Sequence, residues 1–168
     1  TISGCDGHVF AAVDDFVRII NNRVFNHDND GVSSNAAVEV GSASVTNIEI
    51  IGNEFQWNPL GTAGQEWGVA LLSDLTNLQH AIVSHNTFIG YKRSIYAYRV
   101  LQGAEFNYNV IRSPIAGGQG IYYENNHTVD CKNLSIIGND IDGGGAIVTG
   151  ILIKSDNGHT LRNVKIAL

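Results

Sequence analysis

The sequence is poor in proline, cysteine and methionine, and its cations are fewer than its anions. Its 168 residues include two Pro, two Cys and no Met, with 10 Lys and Arg against 16 Asp and Glu. Proteins that bind nucleic acid present a basic stripe, so the net charge of −6 argues against a nucleic-acid partner. No apolar run approaches the roughly 18 residues that indicate a membrane-spanning helix, and no signal peptide is recognisable. The composition therefore predicts neither a nucleic-acid partner nor a membrane span.

Glycine and apolar residues, in contrast, are plentiful. Hydrophobic residues make up 43% of the sequence, which is enough for a sizeable core, and the 19 Gly suit tight turns between short strands. The length fits one domain, so we interpret residues 1–168 as a single domain. The sequence opens in a motif-like stretch at Thr1 and stops within a repeat at Leu168. We therefore expect a segment of a longer protein, incomplete at both ends.

A short motif recurs along the chain at intervals of 23 to 33 residues. Each copy reads apolar, any residue, apolar, two of any residue, Asn, any residue, apolar. The asparagines of the five copies are Asn22, Asn53, Asn86, Asn109 and Asn139. Alternating apolar positions with many β-branched residues predict strands. Self-similarity at this period predicts a solenoid, a propeller or an array.

A second apolar segment follows each motif after a loop. These segments are residues 38–40, 69–72, 95–98, 121–124 and 151–154, and Gly68, Gly120 and Gly150 directly precede three of them. Two or three short strands per repeat, all winding in one direction, form a parallel β-helix in which each repeat is one coil. The sequence therefore predicts an all-β fold, a parallel β-helix or solenoid of about five coils.

Stacking the repeats in register predicts columns of side chains. Two columns are expected to point into the core, and their members are Ile19, Ile50, Val83, Phe106 and Ile136, and then Val24, Phe55, Phe88, Ile111 and Ile141. The Asn column falls where the chain bends, because Asn tolerates the left-handed conformation, and its stacked amides can hydrogen-bond as a ladder. Opposite charges one repeat apart predict exposed ion pairs of up to about 1 kcal/mol each. The pairs are Arg18–Glu49, Arg23–Glu54, Arg112–Asp142 and Glu124–Lys154.

The two cysteines do not suit a disulfide. Cys5 and Cys131 lie about four repeats apart, which at roughly 4.8 Å per stacked strand separates them by about 19 Å. A disulfide needs its Cα atoms within about 7 Å of each other. We predict two free thiols that are mostly buried.

The sequence Ile-Ile-Gly-Asn-x-Phe/Ile, at residues 50–55 and 136–141, resembles the right-handed parallel β-helix proteins of the pectate-lyase-like superfamily. The resemblance covers residues 13–168 and implies a right-handed, single-stranded parallel β-helix with an Asn ladder. The superfamily includes polysaccharide lyases and hydrolases, uronan epimerases, phage tailspike depolymerases, and purely structural fibre and adhesin segments. Similarity to a tailspike depolymerase is the strongest, and it implies an extracellular or virion-surface location and a homotrimer.

The loops between the first and second strands are expected on one flank of the solenoid. Three of them bring together residues of three kinds: the carboxylates Asp28, Asp30 and Glu66, the cations His27, Lys92 and Arg93, and the aromatics Trp57, Trp67 and Tyr91. Aromatic faces stack on the apolar face of a pyranose, cations bind an anionic glycan, and paired carboxylates act as acid and base or as acid and nucleophile. This combination predicts a polysaccharide site, although a solvated polar rim would carry similar residues.

Tyr96 and Tyr122 are expected to stack on the outer face of the second strand. An exposed strip of aromatic residues across coils can bind a glycan or another chain. An aromatic pair on neighbouring strands also stabilises a sheet without further purpose. The sequence leaves these interpretations open, and we include both tyrosines among the candidate substrate-binding residues.

A metal site has little support in the sequence. Asn26, Asp28 and Asp30 resemble the first half of a calcium loop, but the twelfth position is Ala37 where such loops have Glu. An Asp- and Asn-rich turn explains the same residues. The histidines lack the spacing of zinc ligands. We expect no cofactor and no metal.

These observations predict a protein that cleaves or binds a polysaccharide through loops on one flank. Hydrolysis would use Asp28, Asp30 and Glu66, and lyase chemistry is the other possible reaction. The alternative is a non-catalytic structural or adhesive segment. The long stretch 56–67, with both tryptophans, favours a binding site, whereas the expected coil-to-coil ion pairs favour the structural role.

Overall fold

The computed structural model describes residues 1–3, 9–12, 16–27, 36–41, 46–57, 67–72, 78–100, 102–112, 115–125, 130–144, 149–155 and 160–167. These residues form β-strands and turns, and they include no helix. A helix of the length and apolarity needed to cross a membrane is accordingly not found in these ranges.

Eighteen short strands follow one another along the chain. The first six are β1 (Ile2–Ser3), β2 (Phe10–Ala12), β3 (Phe16–Ile20), β4 (Arg23–His27), β5 (Ala36–Val40) and β6 (Asn47–Ile51). The next six are β7 (Glu54–Trp57), β8 (Trp67–Leu72), β9 (Gln79–Ser84), β10 (Thr87–Ile89), β11 (Arg93–Tyr98) and β12 (Gln102–Asn107). The last six are β13 (Val110–Arg112), β14 (Gln119–Asn125), β15 (Cys131–Ile137), β16 (Asp140–Asp142), β17 (Thr149–Ser155) and β18 (Leu161–Ala167).

The strands assemble into three parallel sheets of six strands each. The first sheet has the order β1-β4-β7-β10-β13-β16, the second β2-β5-β8-β11-β14-β17, and the third β3-β6-β9-β12-β15-β18. Every strand pairs with the strands three places before and after it in the chain, so the chain visits the three sheets in turn and advances by one coil. The molecule is an all-β parallel β-solenoid, which confirms the predicted fold class.

The predicted inward columns form the core. Ile50, Val83 and Phe106 are fully buried and lie in register on successive strands of the third sheet. Phe55 and Phe88, from the column after the Asn, are also fully buried, and their rings stack with centroids 5.4 Å apart. Full burial of side chains of this size stabilises the fold by about 1.5–3 kcal/mol each.

The predicted asparagine ladder is confirmed. The backbone N–H of each of the first four ladder residues donates to Oδ1 of the Asn one coil further on, at 2.8 Å for Asn22 and 2.9 Å for Asn53. The same bond measures 3.0 Å from Asn86 and 2.9 Å from Asn109, which donates to Asn139. Each Nδ2 donates to Oδ1 of the following Asn as well. The ladder therefore ties five consecutive motif copies together where third-sheet strands turn into first-sheet strands.

The left-handed residue at this bend is not the ladder Asn but the residue before it. The positive-φ positions are Asn21, Gly52, His85, Tyr108 and Gly138, with φ between 55° and 68°. In all five copies the reversal of the chain therefore occurs one residue before the ladder Asn. The prediction that the ladder Asn itself adopts this conformation is therefore wrong.

Three of the four predicted ion pairs form. Arg18 contacts Glu49 at 2.7 Å, Arg23 contacts Glu54 at 2.8 Å, and Lys154 contacts Glu124 at 3.4 Å. The fourth differs, because Arg112 lies opposite Asp142 in register but its guanidinium binds Asp140. A long side chain can reach a diagonal neighbour on the same face of a parallel pair, and this hydrogen bond lowers the pKa of the Asp140 carboxyl.

Cys131 is free and buried, as predicted, and burial raises the pKa of its thiol. Its neighbour Tyr123 donates a hydrogen bond to the carbonyl oxygen of Val100 at 2.6 Å. Cys5 lies outside the described residues, so its state stays a prediction.

Candidate binding face on the second sheet

The outer surface of the second sheet carries a cluster of aromatic side chains. Ile95 and Ala97 on β11 are fully buried in the core. Because alternate residues of a strand point to opposite faces, Tyr96 between them points outward. The register places Ala70 of β8 and Tyr122 of β14 beside it on the neighbouring strands.

Four aromatic residues, Trp67, Tyr96, Tyr98 and Tyr122, make up what we term the aromatic face. The rings of Tyr96 and Tyr122 are stacked, with centroids 5.3 Å apart and planes 10° apart. The indole of Trp67 lies 5.1 Å from the ring of Tyr96 on the other side, and Tyr98 lies 6.3 Å from Tyr96. Rings from three consecutive coils are thus in contact along the solenoid axis.

Trp67 begins β8 and packs with the small side chains Ala36 and Ala70, which leave room for its indole against the sheet. Only 9% of its surface is exposed, although it points away from the main core. Its indole N–H is buried and has no acceptor among the described residues. A buried donor without a partner costs about 1–3 kcal/mol.

Two arginines lie against these rings. The guanidinium carbon of Arg93 is 5.2 Å from the ring centroids of both Tyr96 and Tyr122. Its Nε donates a hydrogen bond of 2.6 Å to the side-chain oxygen of Gln119. Arg99 lies 4.4 Å from the ring of Tyr98 and has a left-handed backbone with φ of 62°. Such cation–π contacts contribute about 0.5–1 kcal/mol at exposed sites, so the rings hold both cations at this surface.

A chain of polar contacts borders the aromatic face. The hydroxyl of Tyr122 donates to Oε2 of Glu124 at 2.7 Å, and Nζ of Lys154 lies 3.4 Å from Oε1 of the same carboxylate. Burial, followed by the hydrogen bond to Glu124, raises the pKa of Tyr122 to about 12. Burial also raises the pKa of Tyr96. Tyr122 therefore keeps its proton, and its hydrogen bond to Glu124, to a higher pH than an ordinary tyrosine would.

The predicted flank is only partly assembled at this face. The structure brings Trp67, Arg93, Tyr96 and Tyr122 together, and Lys92 is half-buried directly before β11. Trp57 and Tyr91, in contrast, belong to the core, with 8% and no exposure. Tyr91 packs edge-on against Phe88, with ring centroids 6.4 Å apart. Both rings pack inside the main core cluster, whereas Trp67 and Tyr122, which also expose only 9% each, lie on the outer surface of the second sheet.

The three candidate catalytic carboxylates, Asp28, Asp30 and Glu66, lie outside the described residues. Asn26 falls within β4, but the rest of the calcium-like motif also lies outside those residues. Their roles in hydrolysis or in calcium binding stay predictions.

Gln119 and Glu124 are contacts that the sequence reasoning did not assign to the site. A signal for Gln119 was present, because Gly68, Gly120 and Gly150 align before the second-sheet segments. The residues directly before Gly68 and Gly120 are Trp67 and Gln119, so the alignment places these two in one column. The strand register confirms the column and places Arg93 between them. No comparable signal indicates the bond between Tyr122 and Glu124, because it joins two residues on one strand.

Comparison with protein-family models, with curated proteins and with solved structures finds no match to this chain. The resemblance to the pectate-lyase-like superfamily is therefore carried by the repeat motif and the solenoid architecture alone. Membership of that superfamily, the similarity to tailspikes and the right-handed winding stay predictions.

Proposed function

We propose that this protein binds a polysaccharide through the aromatic face of the second sheet. The observation that carries the proposal is the contact between the rings of Trp67, Tyr96 and Tyr122 on three consecutive coils. Aromatic rings bind the apolar face of a pyranose, and the bordering amide, carboxylate and phenol groups offer donors and acceptors to its hydroxyls. Binding sites of this kind combine an apolar surface with a few convergent polar groups.

Two arginines at this face favour a glycan that carries negative charge. Arg93 and Arg99 lie within 5.2 Å of the tyrosine rings, whereas the chain as a whole carries a net charge of −6. A glycan with acidic groups would therefore approach this face more readily than the rest of the surface. Guanidinium groups bind carboxylates with two parallel hydrogen bonds where the geometry permits.

The test is a binding assay against a panel of neutral and acidic polysaccharides, by affinity gel electrophoresis or calorimetry. Tyr96→Ala should weaken binding at least about tenfold, equivalent to about 1.4 kcal/mol, because it removes the central ring of the cluster. Tyr108→Ala is the matched control, since Tyr108 is 52% exposed at the bend before the Asn ladder and not on the aromatic face. Equal losses in the two folded variants, or no loss in Tyr96→Ala, would exclude the aromatic face as the binding surface.

Cleavage of the bound glycan is a further part of the proposal. Glu66 directly precedes Trp67 in the sequence, and paired carboxylates are the usual catalysts of glycoside hydrolysis. New reducing ends without unsaturated products would support hydrolysis by Asp28, Asp30 and Glu66. Unsaturated products would support a lyase and would direct attention to Lys92 and Arg93.

A structural or adhesive role is the second candidate. The observation that favours it is the continuous coil-to-coil bonding through the Asn ladder and the Arg18–Glu49 and Arg23–Glu54 pairs. Absence of binding and of cleavage across a broad panel, with folded protein, would favour this role over glycan processing.

A further inference from the structure

The two arginines of the aromatic face lie at opposite ends of one strand. Arg93 begins β11, Tyr98 ends it, and Arg99 follows directly. At about 3.3 Å per residue, the backbone positions of Arg93 and Tyr98 are roughly 17 Å apart. This interval is longer than one sugar ring. The aromatic face therefore presents its cations at two separate places rather than as one cluster.

Each guanidinium group lies against a tyrosine near its own end of the strand. The guanidinium carbon of Arg93 is 5.2 Å from the ring centroid of Tyr96, and that of Arg99 is 4.4 Å from the ring centroid of Tyr98. The centroids of these two rings are 6.3 Å apart. Neutral aromatic surface thus separates the two cations along β11.

A carboxylate lies between the two cations, on the neighbouring strand. Glu124 on β14 is opposite Tyr98 in register, and its Oε2 accepts a hydrogen bond from the hydroxyl of Tyr122 at 2.7 Å. Its ion-pair partner Lys154 is on β17, one coil further from β11. Burial, followed by the negative charge of Glu124, raises the pKa of Tyr96, and the two arginines oppose this shift less strongly. A second carboxylate at this centre would therefore be repelled, whereas a sugar hydroxyl could donate a hydrogen bond to Glu124.

We propose that the aromatic face selects a glycan whose acidic sugars are separated by neutral ones, an inference that rests on the proposed function. The glycan lies along β11, and its carboxylates bind Arg93 and Arg99 at the two ends. Its neutral sugars lie between them, on the rings of Tyr96 and Tyr98, and donate hydrogen bonds to Glu124. A guanidinium group that stacks on an aromatic ring still has donors in its own plane for a carboxylate.

The alternative charge patterns fit this face less well. A glycan in which every sugar is acidic places a carboxylate beside Glu124 as well as at the two arginines. A neutral glycan gains no charge-assisted hydrogen bonds from Arg93 and Arg99, and such bonds are roughly twice as strong as neutral ones. The order of charges along β11 therefore favours alternation over either uniform pattern.

Three oligosaccharides of equal length test this order by calorimetry. In a hyaluronan oligosaccharide acidic and neutral sugars alternate, in an oligogalacturonate every sugar is acidic, and a cello-oligosaccharide is neutral. The hyaluronan oligosaccharide should bind at least about tenfold more tightly than the other two. Equal binding of all three, tighter binding of either of the other two, or no binding at all would overturn the inference. Where Tyr96→Ala still weakens glycan binding, the proposed function stands although the inference fails; where it does not, both fail.

Glu124→Gln separates selection by charge order from simple attraction. Gln keeps an acceptor for the hydroxyl of Tyr122 but removes the negative charge. The variant should bind the oligogalacturonate more tightly, and its preference for hyaluronan should fall at least about fivefold, because the repulsion at the centre is removed. An unchanged preference in the folded variant would overturn the inference.

The arginines are tested in the same assay. Arg93→Gln and Arg99→Gln should each weaken the binding of the hyaluronan oligosaccharide at least about tenfold, because each removes the charge that binds one carboxylate. Arg112→Gln is the matched control, since Arg112 lies on the first sheet and binds Asp140. It changes the net charge equally and should leave binding unaltered. Equal losses in the three variants would show attraction by overall charge and would overturn the inference.

Discussion

Asn86 gives the sharpest test of what holds the coils together. Its side chain is fully buried, and its Oδ1 accepts hydrogen bonds from the N–H and the Nδ2 of Asn53, at 2.9 and 3.0 Å. Its Nδ2 donates to the carbonyl of Ile50 at 2.8 Å and to Oδ1 of Asn109 at 3.1 Å. Replacement by Ala removes all four bonds and leaves the buried N–H of Asn53 without its acceptor.

The magnitude follows from these contacts. A hydrogen bond contributes about 1 kcal/mol net, and an orphaned buried group costs about 1–3 kcal/mol. We expect Asn86→Ala to lower the free energy of unfolding by about 3–5 kcal/mol, a large share of the roughly 5–15 kcal/mol of a typical domain.

Asn22→Ala is the matched control, because Asn22 is only partly buried, whereas Asn86 is fully buried. Its side chain donates to the carbonyl of Ile20 and to Oδ1 of Asn53, and among the described residues no donor depends on its own Oδ1. We expect this variant to lose about 1 kcal/mol. Urea unfolding of both variants, followed by circular dichroism and tryptophan fluorescence, measures the difference. Equal losses at the two positions would refute the argument that the buried amides hold the coils together.

Three further predictions concern single side chains. Arg18→Ala should change the free energy of unfolding by less than about 1 kcal/mol, and less at high salt, because its pair with Glu49 is exposed; a larger loss in urea unfolding would contradict this. Tyr122 has a pKa of about 12 in the folded protein against 10.0 ordinarily, so the folded state holds its proton more tightly and stability falls as pH rises between about 10 and 12. In denaturation curves measured across this pH range, Tyr122→Phe should lose less stability as the pH rises than the unaltered protein does. An equal loss in both would show that Tyr122 is not the group responsible. Gly68→Ala should destabilise the fold by about 1–3 kcal/mol through overpacking, because a Cβ atom there would lie 2.5 Å from the ring of Phe88. Gly150→Ala should change the stability by less than about 1 kcal/mol, because no described atom lies within 4 Å of its Cβ position; similar melting temperatures for the two variants would contradict this difference in packing.

The sequence by itself determined the solenoid, its register and most of its core. In a stacked coil, spatial neighbours lie one repeat apart along the chain, so that recurrence of a motif places its members side by side. For this reason the inward column of Ile50 and Val83, the Asn ladder and the pair of Arg18 with Glu49 could all be predicted. The pattern did not show how many sheets the strands would form. It also did not show that each motif contributes two strands, one on either side of its Asn, to two different sheets.

The tertiary structure decided which aromatic residues face outward. Trp57 was expected in a loop, but it ends β7, two residues after the buried Phe55, and so points into the core. Tyr91 stands at the bend between β10 and β11, where the period of two that indicates the direction of a side chain does not apply, and it also folds into the core. Trp67 was expected in a loop, but it begins β8 and joins Tyr96. The loops before the second-sheet strands differ in length, so their first residues cannot be aligned by counting from the motif.

The finer choices at the bends also needed the structure. The left-handed position falls on the residue before each ladder Asn, and these residues include Tyr108 as well as Gly52 and Gly138, which adopt it readily. Arg112 selects the diagonal carboxylate of Asp140 over the opposite one of Asp142. Repetition in the sequence fixes which residues are neighbours, whereas the direction of a side chain at a bend depends on packing and hydrogen bonds that exist only once the coils are stacked.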